Sequence, residues 1–209
     1  MKFLLKISIV GILVWLASFY IFSQIYQVDI QTLQDYTVMI QSYDGEVKQG
    51  SGVFIGPNLV ITCKHVIRGR KNIQLIVNGT QIKGEVVKDD GKLDLALLKV
   101  EGDYPYSQLR LDPEIGEKIY VVGAPVGYED TVTRGYIANI TEDYLLLDAR
   151  ISGGCSGGGV FDTQGNLLGI VQMAKVLKIF LQAEWTNFAI PARKIEEFLK
   201  EERNEARFD

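Results

Sequence analysis

The stretch 152–171, SGGCSGGGVFDTQGNLLGIV, sets one cysteine and two serines, Ser152 and Ser156, among closely spaced glycines and runs straight into an apolar pair of segments. Gly/Ser-rich sequence usually means a flexible linker. A linker would not continue into VFDTQGNLLGIV, where an apolar run, a TQGN turn and a second apolar run read as a β-hairpin. The alternative is a side chain presented on a tight turn whose backbone N–H groups stay free for a ligand. Positive φ and close approach to the backbone are expected at Gly153 and Gly154, where glycine suits such a turn.

The rest of the chain has the bulk to support such a site. It has 209 residues, 47% of them hydrophobic, enough for one domain or two small barrels sharing an interface. A net charge of −4 with no basic cluster argues against nucleic-acid binding. Two cysteines make no disulfide framework and match no zinc spacing, so neither metal nor cofactor is expected. Cys63 and Cys155 are read either as one bridge or as two buried free thiols.

The N-terminal run FLLKISIVGILVWLASFYIF (3–22) is apolar over the roughly 20 residues that a spanning helix needs. Residues 1–23 are expected to form a transmembrane anchor. A cleaved signal peptide is the competing reading, with a secreted product. Bulky Ile21 and Phe22 disfavour a small-x-small cleavage site. Lys2 and Lys6 sit at its start, and the next cation is Lys48. The expected topology is a cytoplasmic N-terminus with the remainder outside the cytoplasm. Residues 24–35 are read as a juxtamembrane tether.

From Tyr36 to Asp209, short β-rich runs alternate with turns such as YDGE, VNGT and TQGN. QIKGEVVKDD and LVITCKHVI are among the expected strands. Only PARKIEEFLKEERNEARF departs from this pattern. Its Ile195, Phe198 and Leu199 at helical spacing predict a C-terminal amphipathic helix.

The single histidine, His65, follows the strand LVIT, and Asp94 opens the apolar run DLALLKV. A carboxylate entering a core wants a donor, and an imidazole N–H supplies one. Ser156 has the complementary need. A serine hydroxyl becomes nucleophilic when a neutral imidazole takes its proton and a carboxylate orients that imidazole. Backbone donors for a developing oxyanion are available at Gly154 and Ser156.

Taken in order, GSGVFIG, ITCKHVI, DLALLKV, VVGAPVG, TRGYIANI, GGCSGGGV, NLLGIV and NFAIP resemble the trypsin-like serine proteases, and within them the HtrA/Deg branch, over about residues 36–200. The resemblance implies an all-β fold of two antiparallel six-stranded barrels, with the N-terminal span and C-terminal helix added. It implies a serine endopeptidase acting on protein or peptide substrates, with His65 as general base, Asp94 as its orienter and Ser156 as nucleophile. The amides of Gly154 and Ser156 would form the oxyanion hole. Residues 148–153, among them Arg150 (pointing outward), Ile151, Ser152 and Gly153, together with Gln172, Met173 and Ala174, would wall the specificity pocket and pair with the substrate backbone. Nothing up to residue 209 resembles that branch's PDZ module.

The chain departs from the family pattern beside the nucleophile and the histidine. Cys155 stands where Asn or Asp is usual, Gly159 where Pro is usual, and Cys63-Lys64 precede His65. A latent or partner-activated site, or a catalytically silent binding module, is the alternative these raise. A cysteine protease fits less well, because the paired glycines follow Ser156 and not Cys155.

Overall fold

The computed structural model describes residues 11–18, 28–43, 45–69, 72–179 and 182–205, with side chains at 173–186 and 201–205 excepted. Thirteen strands in the described residues form two antiparallel systems. The first comprises β1 (Thr37–Tyr43), β2 (Val47–Gly56), β3 (Leu59–Cys63), β4 (Asn72–Val77), β5 (Thr80–Lys83), β6 (Glu85–Asp90) and β7 (Leu95–Lys99). The second comprises β8 (Lys118–Gly123), β9 (Thr131–Ile140), β10 (Leu145–Leu147), β11 (Gly159–Phe161), β12 (Leu167–Ile179) and β13 (Gln182–Pro191). Local chemistry sets the tight turns. Asn78 and Gly79 join β4 to β5 with φ of 49° and 75°, the left-handed pair that a two-residue hairpin demands.

The second system closes as a six-stranded barrel in the order β10-β13-β12-β11-β8-β9. The first does not close by hydrogen bonds, which corrects the expectation of two six-stranded barrels. It is a seven-stranded sheet in the order β5-β4-β1-β2-β3-β7-β6. The expected strand QIKGEVVKDD is split at Gly84, so the two edge strands are joined by that one residue. The split has a packing cause: a Cβ on Gly84 would lie 2.6 Å from Leu75 Cδ1 and 3.3 Å from Ile73 Cγ2. The chain bends there over the core, and the edges meet through the covalent chain. LVITCKHVI is likewise not one strand; β3 ends at Cys63 and a one-turn helix, α2 (Lys64–Ile67), follows.

Each system has its own core. Val38, Ile40, Phe54, Ile61, Leu75 and Leu97 are buried in the first, and Ile119, Ile137, Leu145, Val160, Leu168 and Val171 in the second. The C-terminal helix α3 (Ala192–Glu205) buries Ile195 and Phe198, with Leu199 packed against the same core. Arg110, between the two systems, donates to Glu117 Oε1 at 2.6 Å and to the fully buried Asp162 at 2.8 Å.

The expected tether is partly folded. Helix α1 (Ile30–Asp35) precedes α2 in the chain and puts Leu33, fully buried, into the first core; Val28 N donates to the Thr163 carbonyl at 2.8 Å. Most of the expected span 1–23 lies outside the described residues, of which 11–18 are helical. Among the described residues, no helix is long and apolar enough to cross a membrane.

The docking of α1 is testable. Leu33→Ala is expected to cost about 2–5 kcal/mol in urea unfolding, as for other fully buried leucines. A loss under about 0.5 kcal/mol, typical of a surface change, would return residues 28–35 to a loose tether.

Candidate active site

The first sheet delivers a paired histidine and aspartate. Cys63 ends β3, and α2 then turns His65 toward the residue before β7. His65 Nδ1 lies 2.8 Å from Asp94 Oδ2, and the His65 amide donates to Asp94 Oδ1 at 3.0 Å. Asp94 has φ 58°, a left-handed conformation uncommon outside glycine, though less so for Asp. The conformation sets both carboxylate oxygens on His65 and leaves the Asp94 carbonyl to accept from Lys64 N at 2.9 Å.

The barrel delivers the hydroxyl. Ser156 lies between β10 and β11, and its Oγ donates to the Gln172 carbonyl at 3.0 Å. That carbonyl is free for a local reason. The β12–β13 register shifts between Val171 and Met173, so Gln172 is the extra residue of a bulge with no ladder partner. Its side chain turns to the other sheet, where Nε2 donates to Asp94 Oδ2 at 3.2 Å. Gln172 thus touches the carboxylate with its side chain and the hydroxyl with its backbone. Sequence reading marked Gln172 for the substrate pocket and backbone pairing; the bulge that ties it to Asp94 and Ser156 is invisible in an apolar strand.

Two peptide planes beside Ser156 are held with their amides bare. The Gly153 carbonyl accepts from Val126 N at 3.0 Å, and the Cys155 carbonyl accepts from Gly158 N at 2.8 Å. In a trans peptide, C=O and N–H point oppositely, so fixing these carbonyls also fixes the N–H groups of Gly154 and Ser156. Neither amide has an acceptor among the described residues. Of the two glycines expected at positive φ, only Gly154 takes it, at +98°, and a Cβ there would collide with the Ala124 carbonyl oxygen; Gly153 does not, and a Cβ there would meet nothing within 4 Å. Ser51 of β2 secures the loop from the opposite sheet. Its amide donates to the Ser156 carbonyl and its hydroxyl to the Gly154 carbonyl, each at 2.8 Å. Ser51 and Val126 were not singled out from sequence; GSG marks a family motif but not these bonds.

The two cysteines are free and buried, so no bridge joins Cys63 and Cys155. Cys63 Sγ donates to the Val171 carbonyl at 3.3 Å, and its sulfur lies within 4.8 Å of the nearest ligand atoms of His65 and Asp94. Burial and then the Asp94 charge push the Cys63 thiol up. Burial also raises Cys155, which packs in the second core. Neither is a reactive thiolate.

Of the remaining expected site residues, Arg150 is exposed, and its carbonyl accepts from Thr133 Oγ1 at 2.9 Å. Ile151 is buried in the second core, Ser152 and Gly153 are exposed, and Met173 and Ala174 continue β12 with side chains outside the description. A cavity of about 420 Å³ borders Gln172, lined also by Asp90, Leu93, Tyr144, Ile190 and Lys194. A larger one, about 590 Å³, lies across β1, β4 and β5, and its lining includes none of the groups above.

A hydroxyl, a carboxylate-bound imidazole and two bare amides converge between the sheets. Residues 50–170 match the family model described as the trypsin-like peptidase domain. The chain belongs to the trypsin-like peptidase family. Among curated relatives it is 33% identical over 72% of its length to "Serine protease HTR4" of Rattus norvegicus, covering 33% of that protein. It is 30% identical over 83% of its length to "Anti-sigma-I factor RsgI9" of Acetivibrio thermocellus, covering 26% of that protein. The chain therefore spans about a third or less of these relatives. The serine endoprotease structure from Yersinia pestis superposes with a TM-score of 0.74 at 27% identity, over 83% of this chain and 66% of that one. The resemblance to the HtrA-like branch of the family, read first from motifs, holds among the curated relatives, and the fold is that of a solved serine endoprotease.

Within this trypsin-like domain, burial alone would raise the Asp94 carboxyl. The His65 side chain and amide, with Gln172, outweigh burial and hold it below the usual carboxylate range. A depressed carboxyl stabilises the fold above its unfolded value of about 3.9, and that contribution is lost as pH falls through the lower folded value. In urea unfolding from pH 5 downward, the stability gap between wild type and Asp94→Asn should therefore narrow. A gap that widens would reverse the assigned shift.

Proposed function

We propose that the chain is a serine endopeptidase. Ser156 attacks the scissile carbonyl, His65 accepts its proton, and Asp94 holds the imidazole with Nδ1 protonated and Nε2 free. The amides of Gly154 and Ser156 receive the oxyanion, each donor contributing roughly 2.7–4 kcal/mol to the transition state. Collapse of the tetrahedral adduct expels the amine, which takes the proton from His65 and leaves an acyl-enzyme. Water, deprotonated by His65, then releases the acid and restores Ser156. The observation that carries this reading is the pair of bare amides flanking a hydroxyl, tied through Gln172 to the His65–Asp94 pair.

In the resting arrangement the Ser156 hydroxyl donates to Gln172 and not to the imidazole. Reaction begins when that O–H turns to His65 Nε2. Protein or peptide substrates would lie along Gln172–Ala174, with residues 150–153 walling the pocket. Residues 1–23 would anchor the domain outside the cytoplasm. That placement rests on the apolar run and its charge asymmetry.

The parked hydroxyl, with Cys155 before Ser156 and the likeness to an anti-sigma factor, favours a second reading: a partner-activated or silent binding module. A fluorophosphonate probe separates the two. Ser156 should be labelled, and His65→Ala should abolish labelling; a silent module would stay unlabelled under every condition.

Ser156→Ala and His65→Ala should each lower kcat by about 10⁴-fold or more, and the double variant should be little worse than either. Activity retained in Ser156→Ala but lost in Cys155→Ala would transfer the nucleophile to the thiol. For the anchor, the chain should stay with membranes after carbonate washing, while protease added outside intact cells digests the domain. Release of a product starting near Ser23 would identify a cleaved signal instead.

A further inference from the structure

His65 rides on a helix of four residues, and in so short a helix every carbonyl falls within the last turn, where intrahelical donors run out. Two side chains of the neighbouring ladder supply donors. Lys48 Nζ donates to the His65 carbonyl at 2.6 Å, and Ser42 Oγ to the Val66 carbonyl at 2.9 Å. Ser42 and Lys48 are directly opposed partners in the β1–β2 register, so one rung caps two successive carbonyls. Ser42 is buried and Lys48 half-buried; no carboxylate pairs with Lys48 among the described residues. At the other side of the same residue, the His65 amide is held by Asp94.

We infer that Lys48 is a positioning residue for His65. It grips the backbone carbonyl while Asp94 grips the amide and ring, so that the imidazole is aimed from a turn too short to hold itself. The inference rests on the reading of His65 as general base. Lys48 touches no reacting atom and acts only through the place it gives His65. Displacing a catalytic group by about 1 Å costs up to about 100-fold in rate, so the effect belongs in kcat.

Lys48→Met, Lys48→Arg and Ser42→Ala are compared with wild type in the full chain. Because His65 is the only histidine, NMR observes its Nδ1–H, bound to Asp94, independently of turnover. Lys48→Met is expected to broaden or remove that resonance and to lower kcat by about 10- to 100-fold with KM unchanged. Lys48→Arg should restore most of both, since a guanidinium still donates at that reach, and Ser42→Ala should show a weaker form of the Met defect. If Lys48→Met does not fold, Lys48→Gln carries the same expectations. A wild-type resonance and kcat in Lys48→Met would overturn the inference. So would Arg and Met variants that lose activity equally and only in step with melting temperature. A wild type that shows the resonance but neither hydrolyses peptides nor takes the probe defeats the protease reading, while the resonance still decides the part played by Lys48.

Discussion

Asp94 is a carboxylate partly withdrawn from water, and such a charge persists only where donors replace the lost solvent. Its donors come from two structural systems: the ring and amide of His65 from the first sheet, and the Gln172 amide from the barrel. Satisfying this one group therefore joins the systems and orients the imidazole at once. Remove it, and the His65 tautomer, the Gln172 side chain and the contact between sheets at this point all lose their reference.

The nucleophile loop is held by a second set of constraints that operate on peptide planes. Val126 and Gly158 take the Gly153 and Cys155 carbonyls, while Ser51 takes those of Gly154 and Ser156. The loop is glycine-rich because its turns need left-handed φ and because Ser51 and Ala124 crowd it, not because it needs to move. Gly157, at φ +86°, is so close to Ser51 O and Thr62 Oγ1 that a Cβ would overlap both. Cys155, the departure from the family pattern beside Ser156, packs into the barrel core and leaves the bare amides untouched. Together these bonds keep an unfilled pair of donors in place without substrate, the preorganisation that acyl transfer draws on.

Much of the site was legible in the linear chain. His65, Asp94, Ser156 and the glycines around it stand out because their chemistry is local: a lone imidazole after a strand, an acid entering an apolar run, a hydroxyl among glycines. The strand-rich pattern and the C-terminal helix were legible for a similar reason, since turn-bounded apolar runs and the spacing of Ile195, Phe198 and Leu199 are properties of short segments; a closed barrel was implied only by the family resemblance. Leu33 was hidden because six residues give too little periodicity to reveal a buried face. The split at Gly84 was hidden because the obstruction comes from Leu75 and Ile73, on another strand.

The sequence by itself determined which groups are present, the order in which they occur and the turn chemistry at Asn78-Gly79 and around Ser156. Only the tertiary structure decided that Gln172 bulges out to join Asp94 to Ser156, that Lys48 and Ser42 cap the turn bearing His65, and that the cysteines stay apart. Those outcomes depend on register, bulges and the facing of one sheet against another. Each is a relation between residues distant in the chain, and no local propensity encodes it.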